Sequence, residues 1–379
     1  MSDRWRTCLV ALGLACSAMT SPSLAAEELL VFVSAFGSGD AGAIHAFRVD
    51  SKQATMKPVH RTTNVENSFF LALSPDRKYL YSIDTPDFGD KVNDGIAAFR
   101  LEGATGRMKL INRQSALGTT ACYLDVDATG RTLVVANYSS GSVASLPIGK
   151  DGSLGKAATF IQHKGKSVNP TRQQEPHAHC FVISPDNRFV LSADLGLDQV
   201  LTYRLDSGDA ELTIPRQPFV RTPAGAGPRH LTFHPNGRWV YVIHELTNAV
   251  SLLDYDKKTG VLIERQTIST LPGDFKGTSY CADVKVTPDG RFVYGTNRGH
   301  DSIVVYRVGK QGKLKTVAIV PSRGKGPQNL AITPDGRLLL CANMPGGNVA
   351  VFRIDGKSGG LQPVGQPIAV PSPSCIMIR

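Results

Sequence analysis

One turn phrase recurs six times along this 379-residue chain, short β-branched and aromatic runs flank each copy, and no helical periodicity lies between copies. Together these predict an all-β, seven-bladed propeller with four antiparallel strands per blade. The copies are Ser74-Pro75-Asp76-Arg77, Asp127-Ala128-Thr129-Gly130, Ser184-Pro185-Asp186-Asn187, His234-Pro235-Asn236-Gly237, Thr287-Pro288-Asp289-Gly290 and Thr333-Pro334-Asp335-Gly336. Counted at their second residue, the steps are 53, 57, 50, 53 and 46 residues, a blade-sized period.

The turn comes first in each unit. Proline sets the first central dihedral, the aspartate bonds its own backbone, and glycine accepts positive φ. A second strand follows, as in Phe189-Val190-Leu191 or Trp239-Val240-Tyr241-Val242-Ile243, then a third such as Ser302-Ile303-Val304-Val305-Tyr306. A glycine-containing turn, Asp355-Gly356-Lys357-Ser358-Gly359-Gly360 for example, leads to the fourth. Six phrases make six blades. The seventh is expected from both ends of the chain: 29–36, 42–49 and 56–61 supply three strands, and 374–378 supplies the last, closing the ring without an open edge.

Before the first strand, Arg4 and Arg6 precede an apolar stretch over 8–18, and Ser23-Leu24-Ala25-Ala26 offers small residues for cleavage. This reads as a secretory signal over 1–26, with a single propeller domain over 27–379 in a periplasmic or secreted protein. Gly13-Leu14-Ala15-Cys16 makes a poor lipoprotein box. No apolar run reaches the roughly 18 residues of a membrane span. Losing Asp3, Arg4 and Arg6 takes the net charge from +10 to +9. Lys and Arg are scattered, with no basic helix or aromatic-interleaved strip, so nucleic acid is not an expected partner. Five cysteines remain, an odd number with no CxxC spacing, which argues against a disulfide framework or zinc site.

Comparing blades separates structure from function. Nine residues after the repeat proline stand Asp84, Asn137, Asp194, His244, Asn297 and Asn343, always polar, as a turn-forming position would be. The next position diverges: Thr85, Tyr138, Leu195, Glu245, Arg298 and Met344. In a propeller the second strands end, and the innermost strands begin, on one face. Glu245 and Arg298 should therefore meet Pro176-His177-Ala178-His179, Gly227-Pro228-Arg229-His230 and Gly326-Pro327-Gln328-Asn329 at the channel mouth. His177 and His179, one residue apart on an extended segment, should point the same way. The longest step places extra residues over 161–175, expected to form a cationic wall or lid.

These residues resemble the seven-bladed propeller lactonases of the 6-phosphogluconolactonase type, related to carboxymuconate cyclases. The resemblance covers 29–379 and rests on Asn137-Tyr138-Ser139-Ser140-Gly141, Arg172-Gln173 with Pro176-His177-Ala178-His179, Gly227-Pro228-Arg229-His230, Glu245, and Asn297-Arg298-Gly299-His300-Asp301. It implies that His177, Glu245, Arg298 and Arg229 match the catalytic cluster, with His179 and His300 nearby, and His179, His230, His300, Asn297 and Gln328 are the substrate-binding candidates. Gln328 stands where the family usually has arginine, and an export signal departs from a cytoplasmic phosphorylated substrate.

The expected activity is hydrolysis of a sugar-acid lactone, with an anionic or polyhydroxy lactone as the small-molecule partner and no cofactor. His177 or Glu245 would act as base, and Arg298 or Arg229 would hold the oxyanion, worth about 3 kcal/mol per donor. Neither a Gly-x-Ser-x-Gly elbow nor a carboxylate set completing a His-x-His metal site is present. A non-catalytic ligand- or protein-binding propeller and a lactonising cyclase are the alternatives. Partner proteins are not indicated.

Overall fold

The computed structural model describes residues 28–89 and 92–379, so the expected signal over 1–26, with Cys8 and Cys16, lies outside the described residues. Seven antiparallel sheets follow one another around an axis. The first joins the ends of the chain, in the order Pro373–Ile378, Leu29–Ala35, Ala43–Asp50 and Thr55–Thr62, with Val31 opposite Ile378 and Val33 opposite Ile376. The C-terminal strand is thus the innermost strand of the first blade, and the ring closes as the sequence predicts.

Each later blade starts on the axis and works outward. The innermost strands are Leu71–Leu73, Ala121–Val126, Ala178–Ile183, Pro228–Phe233, Tyr280–Val286 and Pro327–Ile332. One blade departs from four continuous strands. Beyond Gln199–Asp206 its outer edge is split into Glu211–Thr213 and Phe219–Arg221. Pro215 and Pro218 lie between, and proline cannot donate to a ladder.

The repeated turns behave as their composition demands. Asp289 Oδ1 accepts the Thr287 hydroxyl at 2.6 Å and the Arg291 amide at 3.0 Å. Gly290 adopts φ +73, and a Cβ there would come within 2.5 Å of the His234 ring. Where Arg77 and Asn187 replace glycine they still take φ 57. Blades are tied by a recurring bond from a buried second-strand tyrosine to a glycine carbonyl in the next blade: Tyr81 to Gly152, Tyr241 to Gly312 at 2.8 Å and Tyr294 to Gly359 at 2.9 Å. Between sheets lie buried apolar layers such as Phe292, Tyr294, Leu330, Leu339 and Phe352. Cys122, Cys180, Cys281, Cys341 and Cys375 are all buried and unpaired.

Candidate active site

A departure from ideal pairing builds the site. At the start of five innermost strands one residue is skipped by the ladder: Ser374 lies between paired Pro373 and Cys375, and, in the four that matter here, Cys122 lies between Ala121 and Tyr123, His179 between Ala178 and Cys180, Arg229 between Pro228 and His230, and Gln328 between Pro327 and Asn329. Such a β-bulge re-aims the extra side chain, and these four all line one cavity of about 270 Å³ at the channel mouth. Tyr138, Glu245, Arg298 and Met344, from the divergent position after each second strand, complete its floor and walls with Phe69, Phe88, Thr120 and Arg172.

Glu245 is the electrostatic centre. Its Oε2 accepts from Arg229 Nε at 3.0 Å and Arg298 Nη2 at 2.8 Å, and its Oε1 accepts from Arg172 Nη2 at 2.7 Å. Burial alone would raise its pKa, but Arg298, Arg229 and Arg172 together hold it at about 2. Of the two candidate bases, Glu245 is therefore a fixed anion rather than a group poised near neutrality. Arg229 is fully buried, which with Arg298 nearby lowers it to about 10, so it stays cationic. Three guanidiniums and one carboxylate leave the pocket with net positive charge.

The histidines divide. His179 lines the cavity, and burial followed by the Arg229 charge holds it well below its ordinary value, as a neutral imidazole. His177 is outside the lining. Its ring stacks on Tyr138 at 4.5 Å, and its Nδ1 donates to the Tyr138 carbonyl at 3.1 Å. The bulge at His179 interrupts the two-residue alternation, so the expectation that both imidazoles share one aim is corrected. His177 and Glu245 nevertheless occupy the same end of the ring, joined through Tyr138, whose hydroxyl accepts from Arg172 at 3.2 Å.

Three other candidates lie off the cavity. His230 is buried behind Arg229, between it and Asp283. Asn297 spends its amide on the Thr270 carbonyl at 3.0 Å and Ser302 at 3.0 Å, in keeping with the structural role of that position in every blade. His300 bonds Ser302 at 2.7 Å and packs edge-on against Phe275. Gln328 does line the cavity, and its Oε1 accepts from Arg298 Nη1 at 3.4 Å. A cavity of about 550 Å³ opens at the opposite end of the channel, lined by Phe70, Tyr123, Asp125 and Lys285 among others. The smaller one gathers the three arginines and the neutral imidazole.

A model of the family described as "Lactonase, 7-bladed beta-propeller" matches residues 30–378. This chain belongs to that family. It is 32% identical over 346 residues to the 6-phosphogluconolactonase of Bacillus subtilis, covering 91% of this chain and 97% of the relative. To the 6-phosphogluconolactonase of Formosa agariphila it is 31% identical, covering 92% and 99%. Among solved structures, the periplasmic gluconolactonase of Pseudomonas aeruginosa superposes with a TM-score of 0.86 at 32% identity, covering 93% of this chain and 99% of that one.

Within this lactonase scaffold, one residue acquires a place that the repeat could not assign. Arg172 comes from the insertion over 161–175, which the structure makes a wall of the cavity. The neighbouring Gln173 anchors it, donating from Nε2 to the Leu195 carbonyl at 2.8 Å and to Asp198 at 2.7 Å. The charge of that insertion was the available signal. Its lysines are exposed, while Arg172 lines the cavity.

Proposed function

We propose that this lactonase-family protein is an exported enzyme that hydrolyses a sugar-acid lactone in the cavity around Glu245, with residues 1–26 removed as a signal. The observation that carries the reading is the convergence of Arg172, Arg229 and Arg298 on a single ionised carboxylate beside the neutral His179. The names of the relatives support lactone chemistry, and the periplasmic Pseudomonas gluconolactonase supports the compartment.

In this reading His179, rather than His177 or Glu245, is the base, because it lines the cavity as a neutral imidazole, its Nδ1 against the Cys122 thiol at 3.7 Å. Water attacks the lactone carbonyl carbon while His179 takes one of its protons. The carbonyl π electrons move onto oxygen, where Arg229 and Arg298 stabilise the negative charge. As that charge grows beside the new imidazolium, each favours the other, which offsets the low basicity of the resting ring. Collapse re-forms the carbonyl and breaks the ring C–O bond, and His179 returns its proton to the departing ring oxygen. The product acid then ionises in water. Arg172 is placed to bind an acid group or hydroxyls of the substrate, while Phe69, Phe88 and Met344 offer an apolar wall to the ring.

The test is turnover by the mature protein of glucono-δ-lactone and of its 6-phosphate, each followed against the spontaneous rate. Hydrolysis of at least one well above background is expected, and recovery of the protein in the exported fraction tests the compartment. Background rates with both plain and phosphorylated aldonolactones would overturn the reading.

A further inference from the structure

Arg229 is held on three donors before any substrate arrives. Nε donates to Glu245 Oε2 at 3.0 Å, and Nη1 donates both to the Ala282 carbonyl at 2.5 Å and to His230 Nε2 at 3.1 Å. A guanidinium only donates, so His230 Nε2 carries a lone pair and the ring proton sits on Nδ1. That proton goes to Asp283 Oδ1 at 2.9 Å.

Asp283 is itself immobilised. Oδ1 also accepts from Lys285 Nζ at 2.8 Å and the Val284 amide at 2.9 Å, and Oδ2 accepts from Asn329 Nδ2 and the Leu330 amide, both at 2.9 Å. Tyr123 and His179 pack edge-on against the His230 ring, with centroids at 5.2 and 5.4 Å, so it has no room to turn over. Arg229, His230 and Asp283 are all buried. The bonds Arg229 makes occupy Nε and Nη1 and leave Nη2, and Arg229 is one of the residues that line the cavity.

We propose that Asp283 and His230 are positioning residues for the reaction: by fixing one imidazole tautomer they aim Arg229 Nη2 at the oxyanion that develops on the lactone carbonyl. The inference rests on the reading of this cavity as a lactone-opening centre. A donor misplaced by about 1 Å loses roughly 10²-fold in rate, whereas ground-state binding, shared with Arg172 and the apolar wall, is little disturbed. Asp283 thus acts on substrate through two intermediaries and touches none itself.

A double-mutant cycle in the full mature chain tests this. His230→Ala is expected to lower kcat about tenfold to a hundredfold with KM within about threefold. Arg229→Ala is expected to lower kcat at least as much, and adding His230→Ala to it should bring little further loss. His230→Gln, which offers an amide oxygen to Arg229 and disturbs packing less, should retain several times more activity than His230→Ala. Melting curves identify any variant that does not fold, and the glutamine variant then carries the cycle. Losses that multiply, or a His230→Gln enzyme no better than a folded His230→Ala, would overturn the positioning role while leaving the cavity reading intact. An Arg229→Ala enzyme with undiminished kcat would remove both.

Discussion

Three guanidiniums around Glu245 make its carboxylate a counter-ion first, since without it Arg172, Arg229 and Arg298 would repel one another in a desolvated space. Glu245→Gln is therefore expected to lower stability by about 3–5 kcal/mol in urea unfolding, the usual effect of breaking a buried pair. Part of that loss should return with added phosphate, which can sit among the three arginines. His244 gives a pH-dependent case. Burial drops it from 6.5 to about 4, so between those values the unfolded chain binds a proton that the folded chain refuses. Its contribution is whole above pH 6.5 and is lost as pH falls toward 4. Asp94 and Asp125, which burial raises to about 6, work in the opposite direction. The stability difference between wild type and His244→Gln should accordingly shift by on the order of 2 kcal/mol between pH 7.5 and pH 5, against the wild type, in parallel denaturant titrations. Glu245 and Arg298 were legible because blades that agree at one position disagree at the next. His230 was singled out too, but its bond to Asp283 was not legible, because that partner lies 53 residues away and no local pattern announces a contact at that range.

Turns and strands carry the more readable level. Pro-Asp-Gly chemistry is local, so six blades could be counted from sequence, and the leftover strands at the two ends could be joined. The β-bulges could not, because they arise from how the innermost strand meets its neighbour rather than from a residue type. They are what send His179 and Arg229 inward while His177 stays behind Tyr138. Gly227 shows how tightly this entry is held. It has φ +62, a Cβ there would meet the Leu246 side chain at 2.6 Å, and its carbonyl accepts the Glu245 amide at 2.8 Å. Gly227→Ala should displace both Arg229 and Glu245, lowering kcat together with stability by about 1–3 kcal/mol. Tyr294→Phe, by contrast, removes one inter-blade hydroxyl bond far from the cavity. It should lower unfolding free energy by about 1 kcal/mol with kcat unchanged.

At the scale of the molecule, the ring is what holds together a cavity drawn from so many blades. The strand Pro373–Ile378 pairs with Leu29–Ala35 and packs against its neighbours on the axis, so the two strands are joined by backbone hydrogen bonds, apolar contact and the Ser34 hydroxyl, which meets Ser374 Oγ and accepts the Cys375 amide, each at 2.9 Å. A chain ending at residue 372 should lose cooperative unfolding and expose the sheet edge of Leu29–Ala35, read as aggregation in size-exclusion chromatography. The central claim, that lactone opening occurs where three arginines surround Glu245, is tested most directly by the single-turnover rate of lactone hydrolysis for wild type and for a folded Arg229→Ala, Arg298→Ala double variant. The account predicts a fall of at least about 10²-fold in the variant. A double variant that opens the lactone as fast as wild type would contradict it.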